Sequence, residues 1–119
     1  MNKHRKLDAW QACRLLIREV YRVTATFPSD ERFGLTSQLR RAAVSAAANI
    51  AEGNARRGTR ENARFLNISL GSIAEIDTLL AVSEDLDYAS GADLQQLAKL
   101  REDASRRTFA LLRSVQPAR

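Results

Sequence analysis

The 119-residue sequence has few of the residues on which enzymes and cross-linked proteins depend. Its single cysteine, Cys13, excludes an internal disulfide bond and fits a reducing cytoplasm. Its single histidine, His4, lies in a basic N-terminal segment, far from any cluster of polar residues. Nucleophilic triads and most acid–base mechanisms need a histidine or a similar base beside the nucleophile. We therefore expect no catalytic residues and no enzymatic activity.

Motifs that bind metals, nucleotides or membranes are also missing. The sequence has no paired-cysteine zinc motif, no Glu-x-x-His pair for a di-iron centre and no glycine-rich phosphate loop. We expect neither a metal ion nor a cofactor. The N-terminal residues lack the apolar region of a signal peptide, and no apolar run looks long enough to span a bilayer. These observations predict a cytoplasmic protein with no membrane partner.

Glycine and proline are scarce, with five and two residues, whereas alanine, leucine, arginine and glutamate are abundant. This composition favours an all-α protein. Apolar residues recur every three or four positions in four segments, which predicts helices over residues 7–26, 36–52, 60–86 and 90–115. Because short segments connect them, we predict an up-down antiparallel four-helix bundle spanning residues 7–116, preceded by a flexible basic segment, residues 1–6.

A few residues are predicted to set the helix boundaries. Gly53 suits the left-handed position just beyond the second helix. Thr59 is expected to cap the third helix, and Ser90 the fourth, with Asp93 three residues later approximating a capping box. Pro117 should stop the last helix, since proline cannot continue it.

The third predicted helix carries more apolar surface than a single core face requires. Its first stripe contains Leu66, Leu70, Ile73 and Leu80. A second stripe, offset by roughly a third of a turn, contains Phe65, Ile68, Ser72, Ile76 and Leu79. A surface helix normally shows one apolar stripe, so we expect the second stripe to contact another copy of the chain. The alternative is a deeply buried helix with a wide core face.

Six arginines in and around the second and third helices are candidate nucleic-acid-binding residues: Arg40, Arg41, Arg56, Arg57, Arg60 and Arg64. A guanidinium group bonds two phosphate oxygens at once, which suits a phosphate backbone. If the two helices are antiparallel, the last four converge at one end of the bundle, and the first two lie toward the other. No aromatic residues are interleaved with them, so we expect backbone binding without base recognition. The alternative is a solvated, arginine-rich helix cap.

Several short segments follow one another in a specific order: Asp8-Ala9-Trp10-Gln11-Ala12, Phe27-Pro28, Glu31-Arg32-Phe33-Gly34-Leu35, Ser37-Gln38-Leu39-Arg40-Arg41-Ala42-Ala43, Asn49-Ile50-Ala51-Glu52-Gly53, Phe65-Leu66, and Gly71-Ser72 followed by Glu75. Over residues 7–90 the combination resembles the bacterial four-helix bundle proteins first noticed in intervening sequences of large-subunit ribosomal RNA genes. The resemblance implies the protomer of a ring-like homopentamer with no established enzymatic activity.

The same resemblance extends to the accessory variability proteins of diversity-generating retroelements, which are basic pentamers that bind nucleic acid and a reverse transcriptase. It therefore implies further copies of the chain, RNA or DNA, and a nucleic-acid enzyme such as a reverse transcriptase as partners. Our preferred interpretation is a homo-oligomer that offers basic surface to RNA or DNA without sequence preference. The alternative is a protein-interaction scaffold with no nucleic-acid role.

Overall fold

The computed structural model describes residues 3–116 and contains four long helices in this part of the chain. They are α1 (Asp8–Thr24), α2 (Leu35–Ala55), α3 (Thr59–Asp85) and α4 (Gly91–Val115). Two short 3₁₀ helices, Lys3–Lys6 and Ser29–Glu31, precede α1 and α2, and the described residues contain no strand. The prediction of an all-α fold is confirmed. The first two residues of the predicted flexible segment and the predicted stop at Pro117 lie outside the described residues.

Each helix packs against its two neighbours around one core. α2 contacts α1 and α3, and α4 contacts α3 and α1, which closes the bundle. Short connections reverse the chain between successive helices, as in an up-down four-helix bundle. The bundle is 45 Å long. We call the end that carries the connection between α2 and α3 the turn end, and the end that carries residues 25–34 and 86–90 the loop end.

The alanine-rich helix α2 lies close to α3. Four of its alanines and Gly53 are buried, and the buried hydroxyl of Ser69 donates a hydrogen bond to the Ala46 carbonyl oxygen at 2.7 Å. At Gly53, an added Cβ atom would lie 2.7 Å from Asn62 Oδ1. α2 continues past this glycine to Ala55, so the prediction that Gly53 ends the helix is wrong. Gly53 instead permits the close approach of two helices.

Of the two predicted N-caps, Ser90 is confirmed and Thr59 is wrong. The Ser90 side chain accepts a hydrogen bond from the Asp93 backbone N–H at 3.1 Å, which confirms the predicted cap of α4. Thr59 is the first residue of α3 and not its cap; Gly58 occupies that position with φ = 87°. Glycine is favoured there because a positive φ brings a Cβ atom into conflict with the backbone.

The second apolar stripe predicted on α3 does not form one exposed face. Ile76 and Leu79 are buried inside the protomer, Phe65 and Ser72 are half-buried, and Ile68 is 41% exposed. The reason is that α3 packs against both α2 and α4, so its core-facing arc is wide enough to include part of both stripes. Ile76 and Leu79 have almost no surface to offer a second copy, and we no longer place them at an interface. Association of copies stays a prediction.

Among residues 3–116, helix α3 is the one candidate for a membrane-spanning helix. Its 27 residues are long and apolar enough, by length and composition, for a membrane-spanning helix. The expectation that no apolar run approaches that length was therefore wrong. In the bundle, α3 packs between α2 and α4, and a third of its most apolar window is buried. A core helix of a soluble bundle meets the same criterion.

Candidate nucleic-acid interface

The connection between α2 and α3 brings four arginines together at the turn end. Arg56 leaves α2 in an extended conformation, and Gly58 turns the chain into α3. Arg60 and Arg64 then lie one helical turn apart on α3, and these side chains and that of Arg57 are all exposed. The antiparallel packing of α2 and α3 therefore gathers the four arginines that the sequence suggested would converge.

Two of these arginines are held in place by their neighbours. Arg56 forms an ion pair with Glu52, and Arg64 Nε lies 3.2 Å from Glu61 Oε1. The Arg64 guanidinium lowers the pKa of the Glu61 carboxyl group by bonding to it. Both guanidinium groups also lie against the Phe65 ring, with Cζ to centroid distances of 5.1 Å for Arg56 and 4.5 Å for Arg64. This packing fixes two cations around a half-buried ring, and the carboxylates offset part of their charge.

The other two arginines of the turn end, Arg57 and Arg60, are held by fewer contacts. Arg57 and Arg60 are exposed, and neither belongs to an ion pair among the described residues. An exposed guanidinium without a carboxylate partner can bond a phosphate without first breaking an ion pair. Arg57 and Arg60 are therefore the residues of this cluster best placed to contact a phosphate backbone.

The N-terminal basic residues join the same end of the bundle. The 3₁₀ helix Lys3–Lys6 contacts both α1 and α2, and the Gln11 side chain donates a hydrogen bond to the Arg5 carbonyl oxygen at 2.8 Å. The sequence interpretation treated these residues as a separate lead-in. The missed signal is topological: in an up-down bundle, the start of the first helix lies beside the end of the second. Lys3, Arg5 and Lys6 thus add to the basic surface of the turn end.

The only tryptophan in the sequence lies near this surface. Trp10 is half-buried, and the Cζ atoms of Arg5 and Arg14 lie 5.8 Å and 5.0 Å from its ring centroid. Cations stacked on an indole change its surroundings when they move to a new partner. Trp10 is therefore a natural fluorescence probe of events at the turn end.

Arg40 and Arg41 lie elsewhere, in the first half of α2 toward the loop end. They line an open groove of about 610 Å³ whose walls also include Tyr21, Arg32, Phe33 and Val44. Arg40 Nε donates a hydrogen bond to Thr24 Oγ1 at 2.9 Å, and its Cζ atom lies 4.5 Å from the Tyr21 ring centroid. The six predicted arginines thus form two separate surfaces.

Cys13 lies in the core. Its side chain is fully buried, and burial raises the pKa of its thiol to about 12. A neutral, inaccessible thiol is a poor nucleophile. Among residues 3–116, no three His, Cys, Asp or Glu side chains come together as a metal-ligand set.

These features define a class: an all-α, up-down four-helix bundle protein with separate basic surfaces at its turn end and beside α2. Residues 5–110 match the family described as 23S rRNA-intervening sequence protein. The chain belongs to this family, as its sequence segments predicted. A search of curated proteins finds no match to the chain.

Proposed function

We propose that the chain is a non-enzymatic, homo-oligomeric protein that binds the phosphate backbone of RNA or DNA through its turn end. The observation that carries the proposal is the convergence of Arg56, Arg57, Arg60 and Arg64 with the basic 3₁₀ helix Lys3–Lys6. Polyanions bind such surfaces because each neutralised phosphate releases condensed counterions.

The turn end favours backbone contact over base recognition. Phe65 is half-buried and already contacted by two guanidinium groups, so it is poorly placed to stack on a base. The half-buried Trp10 ring nearby likewise lies against Arg5 and Arg14. The arginines of this surface bond to anions that every nucleotide carries. Binding at the turn end is therefore independent of sequence and sensitive to salt.

Association of copies would multiply these contacts. Ile68 and Val82 on α3 are 41% and 38% exposed, and Gly71 and Thr78 lie between them on the same outward side. Glu75 interrupts this face. Burying it between copies would remove apolar side chains from water and place several turn ends in one particle. A homopentamer is the arrangement that the family resemblance implies.

One observation favours the alternative of a protein-interaction scaffold. Glu52 and Glu61 each pair with an arginine of the turn, as in an ordinary solvated helix cap. In that case the remaining charge serves solubility or contacts between proteins, and the chain has no nucleic-acid ligand.

Fluorescence anisotropy with labelled, mixed-sequence RNA distinguishes the two functions. We expect the logarithm of the wild-type affinity to fall linearly with the logarithm of the salt concentration between about 50 and 200 mM. The double variant Arg57→Ala/Arg60→Ala removes two contacts and should lower both the affinity and the steepness of this dependence. Titration should also change Trp10 emission, because arginines stacked on the indole lie at the binding surface.

The matched control is Arg18→Ala/Arg106→Ala, which removes the same charge from exposed positions on α1 and α4. It should retain nearly wild-type affinity. Equal affinities for the two double variants would reject the turn end as the site and favour the scaffold.

A further inference from the structure

The groove beside α2 differs from the turn end because it contains exposed aromatic rings. Phe33 is 84% exposed, and Tyr21 is 42% exposed. The sequence shows no aromatic residues interleaved with these arginines. Folding nevertheless places Tyr21 and Phe33 in one groove with Arg40 and Arg41, because α1, the following loop and α2 come together. At this exposure most of the Phe33 ring faces solvent, so the ring is accessible to a ligand.

The position of Phe33 follows from how its loop is braced. The Glu31 carboxylate accepts a hydrogen bond from the Leu35 backbone N–H at 3.1 Å and another from the Tyr88 hydroxyl at 2.9 Å. Phe27 is buried, and its ring centroid lies 5.4 Å from that of Tyr88. With the loop held by these contacts, the Phe33 ring is left outside the core.

An arginine guanidinium group lies close to each of the two exposed rings in the groove. Arg32 Cζ lies 4.8 Å from the Phe33 ring centroid, and Arg40 Cζ lies 4.5 Å from that of Tyr21. The hydrogen bond from Arg40 to Thr24 holds this guanidinium in position before any ligand arrives. Arg41 is exposed along the same wall, and no carboxylate lines the groove.

We propose that this groove binds an unpaired nucleotide of single-stranded RNA or DNA, whose base stacks on Phe33 while Arg40 and Arg41 contact its phosphates. Bases stack on aromatic side chains and on guanidinium planes without regard to sequence. The groove volume of about 610 Å³ lies in the range of sites for small molecules. This inference rests on the proposed function, since both need a nucleic-acid ligand, but it involves a different surface.

The groove chemistry favours a nucleotide over an acidic peptide or a second copy of the chain. A peptide or a second copy of the chain would bury Phe33 as apolar surface, and Phe33→Leu would largely preserve that contact. A base needs a flat ring. The groove would therefore make the chain prefer single strands to duplex, because duplex bases are stacked on one another and are not available to Phe33.

The test uses a single-stranded RNA that contains 2-aminopurine, whose emission is quenched by stacking, and the same sequence as single-stranded DNA and as duplex. We expect quenching by the wild type and tighter binding of both single strands than of duplex. Phe33→Leu should abolish quenching and weaken single-strand binding about tenfold, with little effect on duplex. Equal losses for RNA and DNA would show that the 2′-hydroxyl is not read, and a loss confined to RNA would restrict the ligand to RNA.

Phe109→Leu is the matched control. Phe109 is 50% exposed, and Arg113 Cζ lies 5.3 Å from its ring centroid, but it lies on α4, outside the groove. This variant should bind and quench like the wild type. Because both phenylalanines are exposed, circular dichroism and thermal melting should show folded proteins in both cases.

The outcomes separate this inference from the proposed function. The groove proposal would be overturned if Phe33→Leu still bound single strands and quenched their emission as the wild type does. The turn end is tested separately, by the loss of duplex affinity in Arg57→Ala/Arg60→Ala. Equal wild-type affinity for single strands and duplex would also overturn the groove proposal. So would a fall in particle mass on Arg41→Glu with nucleotide binding unchanged, since the groove would then be an interface between copies.

Discussion

Gly53 lies where α2 and α3 approach so closely that an added Cβ atom would force its neighbours to shift. A Cβ atom there would lie 2.7 Å from Asn62 Oδ1 and 3.1 Å from the Asn62 carbonyl oxygen, which belongs to the backbone of α3 and cannot rotate away. We expect Gly53→Ala to lower the free energy of unfolding by about 1–3 kcal/mol, as overpacking of a core does. Chemical denaturation measures this change.

Gly71 offers the matched comparison within α3. Nothing lies within 4 Å of a Cβ atom added there, and the position is exposed inside a helix. Gly71→Ala should therefore raise the free energy of unfolding by roughly 0.5–1 kcal/mol, because alanine loses less backbone entropy on folding. If both substitutions changed stability in the same direction, close approach would not explain the glycine at position 53.

Cys13 predicts how stability depends on pH. Burial raises the pKa of its thiol from 9.0 to about 12, so the folded protein holds this proton more tightly than the unfolded chain. The resulting contribution to stability is complete below pH 9.0 and is lost as the pH rises toward 12. Between these values, stability should fall more steeply in the wild type than in Cys13→Ala.

The same burial predicts the reactivity of the thiol. At about pH 8, a thiol reagent should label Cys13 only as fast as the protein opens, and should label the denatured chain at once. Rapid labelling of the native protein, with unchanged circular dichroism, would contradict the buried position.

At the scale of single elements, α4 and α3 begin in different ways. Ser90 caps α4 through its side chain, and Ser90→Ala should lower the free energy of unfolding by about 1 kcal/mol. Thr59 makes no capping hydrogen bond, since Gly58 precedes it as the N-cap of α3. Thr59→Ala should therefore change stability much less, and an equal loss in the two denaturation curves would contradict this difference.

The helices could be predicted because apolar residues recur at helical spacing in each of the four segments. The predicted range 7–26 compares with the observed Asp8–Thr24, and the end predicted at 115 is the observed end of α4. Gly53 was misread because a glycine that permits close helix packing looks, in sequence, like one that ends a helix. Only contact with α3 distinguishes the two roles.

The candidate sites differ in how visible they are in the sequence. The arginines of the turn end could be predicted because all four lie in the connection between α2 and α3 or near the start of α3. Residues this close in sequence are also close in space. The groove could not, since Tyr21, Phe33 and Arg41 come from three consecutive elements whose mutual position depends on the loop. Ile76 and Leu79 were assigned to an interface because helical spacing alone does not show how many partners a helix contacts.

The whole molecule separates charge along the bundle. Basic residues collect at the turn end and in the groove beside α2, whereas residues 65–94 contain six acidic residues and no lysine or arginine. Five of those acids lie from Asp77 onward, in the half of α3 that leads to the loop end, in the connection to α4 and at the start of α4. A polyanion is therefore attracted to the turn end and repelled from the α3–α4 side of the loop end.

If copies associate as we propose, several turn ends act on one polyanion, and the outer side of α3 offers the test of this association. Ile68→Asp places a charge on the face proposed to lie between copies, so light scattering coupled to size exclusion should show a smaller particle than the wild type. Leu15→Asp introduces the same charge at a 51% exposed position on α1 and should leave the particle mass unchanged.

Because linked turn ends would bind one polyanion together, Ile68→Asp should also weaken RNA binding by about a hundredfold, far beyond the loss in Leu15→Asp. A wild-type protein that is monomeric at micromolar concentration would contradict association, and the affinity for RNA would then depend on the charge of one protomer.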